Sequence, residues 1–98
     1  MMCGGSSESK PATAETQQIV QEIKPQVEEK EGRQFEVFEA VEFKTQMVAG
    51  INYFIKVHAG NNEFLHLRVF RSLPHEKKPL ALASYQSKKA KQDELVYF

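Results

Sequence analysis

The stretch FKTQMVAGINYFIKVHAGNN, residues 43–62, decides the fold. From Gly50 onward its period is two: Ile51, Tyr53, Ile55, Val57 and Ala59 alternate with Asn52, Lys56 and His58, the pattern of a half-buried strand. Gly60-Asn61-Asn62 then signals a reversal, because Gly and Asn both tolerate the left-handed backbone of a tight turn. Upstream, Phe35, Val37, Val41, Phe43 and Met47 share one parity, broken by Glu39 and by Phe38 and Ala40 on the other. This predicts a long first strand from Phe35, bulged near residues 38–40. Gly50 interrupts the run, so the two strands meet in a hairpin at Gln46-Met47-Val48-Ala49-Gly50.

Working outward, Phe64 to Phe70 reads as a third strand with Leu65, Leu67 and Val69 on one face. A loop with two prolines, Ser72 to Pro79, leads to a fourth strand, Leu80 to Tyr85. Leu95 to Phe98 reads as a tail strand or a packing segment. On the N-terminal side, Ile19, Val20, Ile23 and Val27 recur at helical spacing, and Glu22, Glu28, Glu29 and Lys30 fill the other face. Thr13 is a suitable N-cap, Glu15 suits the first turn and Gly32 is a natural stop, which predicts a helix over residues 13–32. Pro25 inside it removes one helical hydrogen bond and predicts a kink. Residues 1–12 are small and polar and read as an extended, mobile arm.

The order of arm, helix and consecutive strands joined by short turns implies a single α+β domain over residues 1–98. Its antiparallel meander of four to five strands buries one face on the kinked helix. Ninety-eight residues allow one modest core. Thirteen basic residues balance thirteen acidic ones, which argues against a general nucleic-acid binder. No apolar run approaches the ~18 residues of a membrane span. MMCGGSSESK, residues 1–10, holds no apolar leader, and the one cysteine, Cys3, cannot form an internal disulfide. Together these lead to an expectation of the cytoplasm, with the nucleus open as a second compartment.

Chemistry is sparse. Cys3 sits in a glycine-rich arm with no base at hand, so it reads as a free thiol able to link two chains rather than as a nucleophile. His58, His66 and His75 have no partners at metal-ligand spacing; His58 and His66 share a parity and read as exposed strand histidines. Neither a phosphate loop nor a paired carboxylate site stands out, and no cofactor or catalytic activity is expected. Charge is uneven: residues 15–42 are acidic, whereas Arg71, Lys77, Lys78, Lys88, Lys89 and Lys91 crowd the C-terminal third. They read as solvated surfaces of opposite sign, with a patch for an anionic partner as the alternative.

Three segments do not look like core. Met47 and Val48 stand at a hairpin tip, where polar residues are normal, unless the strands run straight through and the loop lies elsewhere. Leu73-Pro74-His75 is a second tip, stiffened by Pro74. A meander sets alternate tips at one end of a sheet, and the arm around Gly4-Gly5 can reach the same end. Three small or apolar segments at one edge, with no reactive group, describe a wedge that fits a groove.

Gln46-Met47-Val48-Ala49-Gly50 matches the Gln-x-Val-x-Gly signature of the cystatins, Gly4 lies where that family carries its N-terminal glycine, and Leu73-Pro74 resembles the second hairpin of its intracellular branch, the stefins. The resemblance covers essentially the whole chain, from PATAETQQIVQEI through VAGINYFIKVHAG and FLHLRVFRSLPHE to KQDELVYF. Cys3 and Leu73-Pro74-His75-Glu76 are more similar to B-type stefins, SESKPATAE and Lys24-Pro25-Gln26 to A-type ones. It implies a cystatin fold and reversible, tight, competitive inhibition of papain-like cysteine proteases such as cathepsins L, S, H and B. The first hairpin role then falls to Gln46, Met47, Val48, Ala49 and Gly50, the second to Leu73, Pro74 and His75, and the arm role to Met2, Cys3 and Gly4. The resemblance also implies a monomer that can exchange its arm, helix and first strand with a second copy. A non-inhibitory interaction module on the same fold, motivated by the basic stretch 71–91, is the alternative.

Overall fold

The computed structural model describes residues 9–98. Expectations placed on Met2, Cys3 and Gly4 fall outside them. The element order is β1 (Lys10–Pro11), α1 (Ala14–Glu31), β2 (Glu39–Val48), β3 (Gly50–His58), β4 (Phe64–Arg71), a 3-10 turn (Pro74–Glu76) and β5 (Ala81–Lys89). The strands form one antiparallel sheet in sequence order, β1-β2-β3-β4-β5. It is the α+β architecture expected of a cystatin fold.

The helix begins and ends where its caps dictate. The Thr13 hydroxyl accepts from the Thr16 backbone N–H, and the Thr16 hydroxyl accepts in turn from the Thr13 N–H, which satisfies two otherwise orphaned donors. Gly32 takes the left-handed conformation (φ 72°) and donates to the Glu28 carbonyl. Ile19, Val20, Ile23 and Val27 are all buried, and each contributes about 1.5–3 kcal/mol by leaving water. They pack on Tyr53, Ile55, Val57, Leu65, Leu67 and Val69, the odd-numbered face of β3 and β4. The reversal between these strands sits at Gly60, Asn61 and Asn62, all with positive φ.

Several expectations are corrected. The first strand starts at Glu39, not Phe35. Between helix and strand the backbone is held by helix side chains instead of a neighbouring strand: the Phe35 N–H donates to Glu28 (2.8 Å), and the Phe38 carbonyl accepts from Gln17 (3.3 Å) and Gln21 (2.9 Å). Phe35 and Phe38 plug the end of the core with ring centroids 5.0 Å apart. The bulge falls between Ala40 and Glu42, later than expected. Val37 and Val41 consequently lie exposed instead of sharing the buried parity of Phe43.

Lys10 and Pro11 belong to the segment read from the sequence as an arm. They pair with Phe43 and Glu42 as an edge strand, and the Ala12 N–H donates to the Val41 carbonyl. Pro11 fits there because an edge strand can do without one N–H. The fourth of the expected strands runs on to Lys89.

The outer face of the sheet is roofed by the C-terminal tail, a packing segment and not a strand. Leu95 is buried, and Phe54 stands edge-on to Tyr97 and Phe98. The Arg68 guanidinium donates to the Phe98 carbonyl at 2.6 Å. Beneath lies a polar row, Glu42, Lys56, His66 and Gln86, one residue from each of β2 to β5 by register. His66 is 0% exposed, which overturns its reading as an exposed strand histidine. Neither of its ring nitrogens has a hydrogen-bond partner. Burial, reinforced by the positive charges of Lys56 and Lys89, pushes its imidazole down to about 4. Lys56 spans the row, 3.0 Å from Glu42 and donating to the Lys91 carbonyl at 2.9 Å.

Candidate functional site

The hairpin joining β2 and β3 is as tight as the chain permits. Met47 pairs with Ile51 and Val48 with Gly50, leaving Ala49 alone at the tip. Gln46 braces its base by accepting from the Asn52 side-chain amide at 3.3 Å. Gly50 has φ 129°, which only glycine adopts without strain. A Cβ built there would meet the Arg71 carbonyl at 2.5 Å and the Phe70 ring at 2.8 Å. The glycine therefore lets the first hairpin lie directly against the end of β4, where the second loop begins.

That second loop spans 72–80. Its 3-10 turn, Pro74–Glu76, is closed by the Glu76 N–H donating to the Leu73 carbonyl at 3.0 Å. His75 is exposed within it. Lys77 continues with positive φ (52°) and redirects the chain toward β5. Ile51 is paired with Arg71, so the hairpin tip and the second loop occupy the same end of the sheet.

The apolar side chains at this end stand in water. Met47 is 61% exposed, Val48 48% and Leu73 36%. Between the tips lies a concavity of about 630 Å³ whose walls include Met47, Val48, Ile51, Leu73 and Leu80. Arg71, Lys77 and Lys78 also line it. These cations open the basic run that the sequence shows from Arg71 onward. Arg71 is tied down by Glu15 (3.7 Å) and lies over the Tyr53 ring.

Lys10 pairs with Phe43 and Pro11 with Glu42, which lays β1 against the free edge of β2. Among the described residues two elements are brought to this edge, the first hairpin and the second loop. Met2, Cys3 and Gly4 lie beyond the described residues.

Among the described residues the arrangement offers exposed apolar surface flanked by the cations Arg71, Lys77 and Lys78. Among the described residues no group of three or more His, Cys, Asp or Glu could hold a metal ion, and no helix is long and apolar enough to cross a membrane. His66, whose pKa burial lowers, lies under the tail on the outer face and takes no part in this edge.

Comparison with known proteins points the same way. A cystatin-domain family model matches residues 4–92. The chain is 64% identical to Cystatin-B of Pan troglodytes, 63% identical to Cystatin-B of Homo sapiens and 61% identical to Cystatin-B of Bos taurus, each over 98 residues and 100% of both chains.

Proposed function

The chain belongs to the cystatin family, a family of cysteine protease inhibitors and not of enzymes, and from that premise we propose that it plugs the active-site cleft of papain-like cysteine proteases, cathepsins among them, as a reversible, tight-binding competitive inhibitor. The observation that carries the reading is the edge itself: Met47, Val48 and Leu73 protrude from one end of the sheet, around one concavity, without being needed by the core.

In this reading Gln46 to Gly50 lie over the catalytic residues and Leu73, Pro74 and His75 fill the leaving-group side of the cleft. The hairpin is braced before it meets its target, by the Gln46–Asn52 bond and by the seat of Gly50 on Arg71 and Phe70. Little freedom is then lost on docking, which favours high affinity from a small contact. The arm role falls to Met2, Cys3 and Gly4. Glycine at position 4 suits a backbone that must pass the nucleophile closely and turn away, so that no peptide bond is offered for cleavage.

Titration of papain with the protein should extinguish activity at a 1:1 end point, and Gly4→Arg should speed release more than it slows association. Val48→Asp, which sets a charge in the apolar contact, should weaken inhibition by at least a hundredfold. Absence of inhibition by the intact chain at micromolar concentration would overturn the proposal. Undiminished inhibition by Val48→Asp would remove the hairpin from the contact.

A further inference from the structure

Met47 is the most exposed large apolar side chain among the described residues. It is neither part of the core cluster nor packed against it, so its thioether serves nothing inside the fold. It projects from the hairpin tip beside Val48, on the wall of the concavity described above. A thioether is the one apolar side chain that a mild two-electron oxidant converts into a polar one. Here that conversion would fall on a contact surface while leaving the core untouched.

We propose that Met47 is a reversible oxidation site through which a peroxide switches off the protein's inhibitory contact; the inference rests on the inhibitory reading above. The sulfur lone pair attacks the peroxide, the O–O bond breaks and an S–O bond forms. The thioether is oxidised by two electrons to a sulfoxide, and hydrogen peroxide leaves as water. The sulfoxide is strongly polar and would replace an apolar group at the contact surface, adding a desolvation cost that opposes docking. Reduction by methionine sulfoxide reductase, with a dithiol supplying two electrons and two protons, returns the thioether and releases water.

The test treats the full chain with hydrogen peroxide, then with dithiothreitol to restore any oxidised Cys3, and follows release from papain. Peptide mass spectrometry locates the added oxygen. Expected are sulfoxide at Met47, roughly tenfold faster release, an unchanged melting temperature and recovery after reductase treatment. Met47→Leu is compared with its own untreated sample, so any effect on starting affinity drops out, and it should show no peroxide response. An equal response in Met47→Leu would assign the loss to Met1 or Met2 and overturn the proposal. So would full sulfoxidation of Met47 with unchanged release. If the untreated chain fails to inhibit papain, the functional reading falls first; if it inhibits and oxidised Met47 has no effect, only this inference falls.

Discussion

Gly50 and Arg71 approach so closely that a single added carbon on Gly50 would stand 2.5 Å from the Arg71 carbonyl oxygen. Two loops far apart in sequence are thereby locked into one edge. The oxygen belongs to the backbone of a central strand and cannot swing aside, and φ 129° penalises any side chain independently. Gly50→Ala should therefore cost about 2–4 kcal/mol and lower the melting temperature by roughly 10–25 °C. Inhibition measured well below the new midpoint should also weaken, because the tip must tilt off β4 to admit the methyl group. A variant that melts with the parent would show that the strands part easily.

His66 makes stability depend on acidity. Its folded pKa, about 4, lies below the ordinary value of 6.5. Above pH 6.5 the ring is neutral in both folded and unfolded chains and contributes no slope. As pH falls through 6.5 the unfolded chain takes up a proton that the folded chain refuses, so stability declines until about pH 4 and then levels. The loss over that window is about 2–3 kcal/mol. Glu42 and Asp93 favour the charged ring, but Lys56, Lys89 and burial outweigh them. Urea midpoints between pH 7 and pH 4 should trace this decline, and His66→Leu should flatten it.

The pattern of periods made the helix and the inner sheet face legible, because both are set by burial on one side. Ile19, Val20, Ile23 and Val27 answer Tyr53, Ile55, Val57, Leu65, Leu67 and Val69, and each stripe hides the other in one core. Phe35 and Phe38 misled because aromatic residues favour strands, whereas here Glu28, Gln17 and Gln21 capture their backbone groups. His66 misled because an even-numbered position next to polar neighbours looks solvated until the tail closes over it. The exposed tip was legible as apolar residues where a turn should be polar. The concavity beside it was not, since it arises from the meeting of Ile51, Leu73 and Leu80 across three chain segments.

Leu95 anchors the roof over the outer face. It is 1% exposed, as is Phe54 beneath the same tail. Leu95→Ala should cost about 2–4 kcal/mol, and hydrogen exchange at residues 91–98 should accelerate beyond the global change. Loss of stability without faster tail exchange would mean that the bonds from Lys56 to Lys91 and from Arg68 to Phe98 hold the tail unaided.

Two helix glutamines stand in for missing strands. The Gln17 amide accepts from the Ala40 N–H at 2.7 Å and donates to the Phe38 carbonyl at 3.3 Å. Gln26 repeats the arrangement at the other edge, accepting from the Leu82 N–H at 3.0 Å and donating to the Leu80 carbonyl at 3.4 Å. Each carboxamide offers the donor and acceptor that a neighbouring strand would offer, and so closes a length of backbone otherwise open to pairing with another chain. Gln17→Ala takes the side-chain partner from the Ala40 N–H, while the Phe38 carbonyl keeps Gln21, and Gln26→Ala takes it from both the Leu82 N–H and the Leu80 carbonyl, at a cost of about 1–2 kcal/mol for each group. The sites share no partners and lie in well-separated turns of α1, so the double variant should lose the sum of the two within about 0.5 kcal/mol. Urea unfolding of the two single variants and the double variant measures this directly. A substantially smaller joint loss would mean that the two braces support one another through α1 instead of each guarding its own edge.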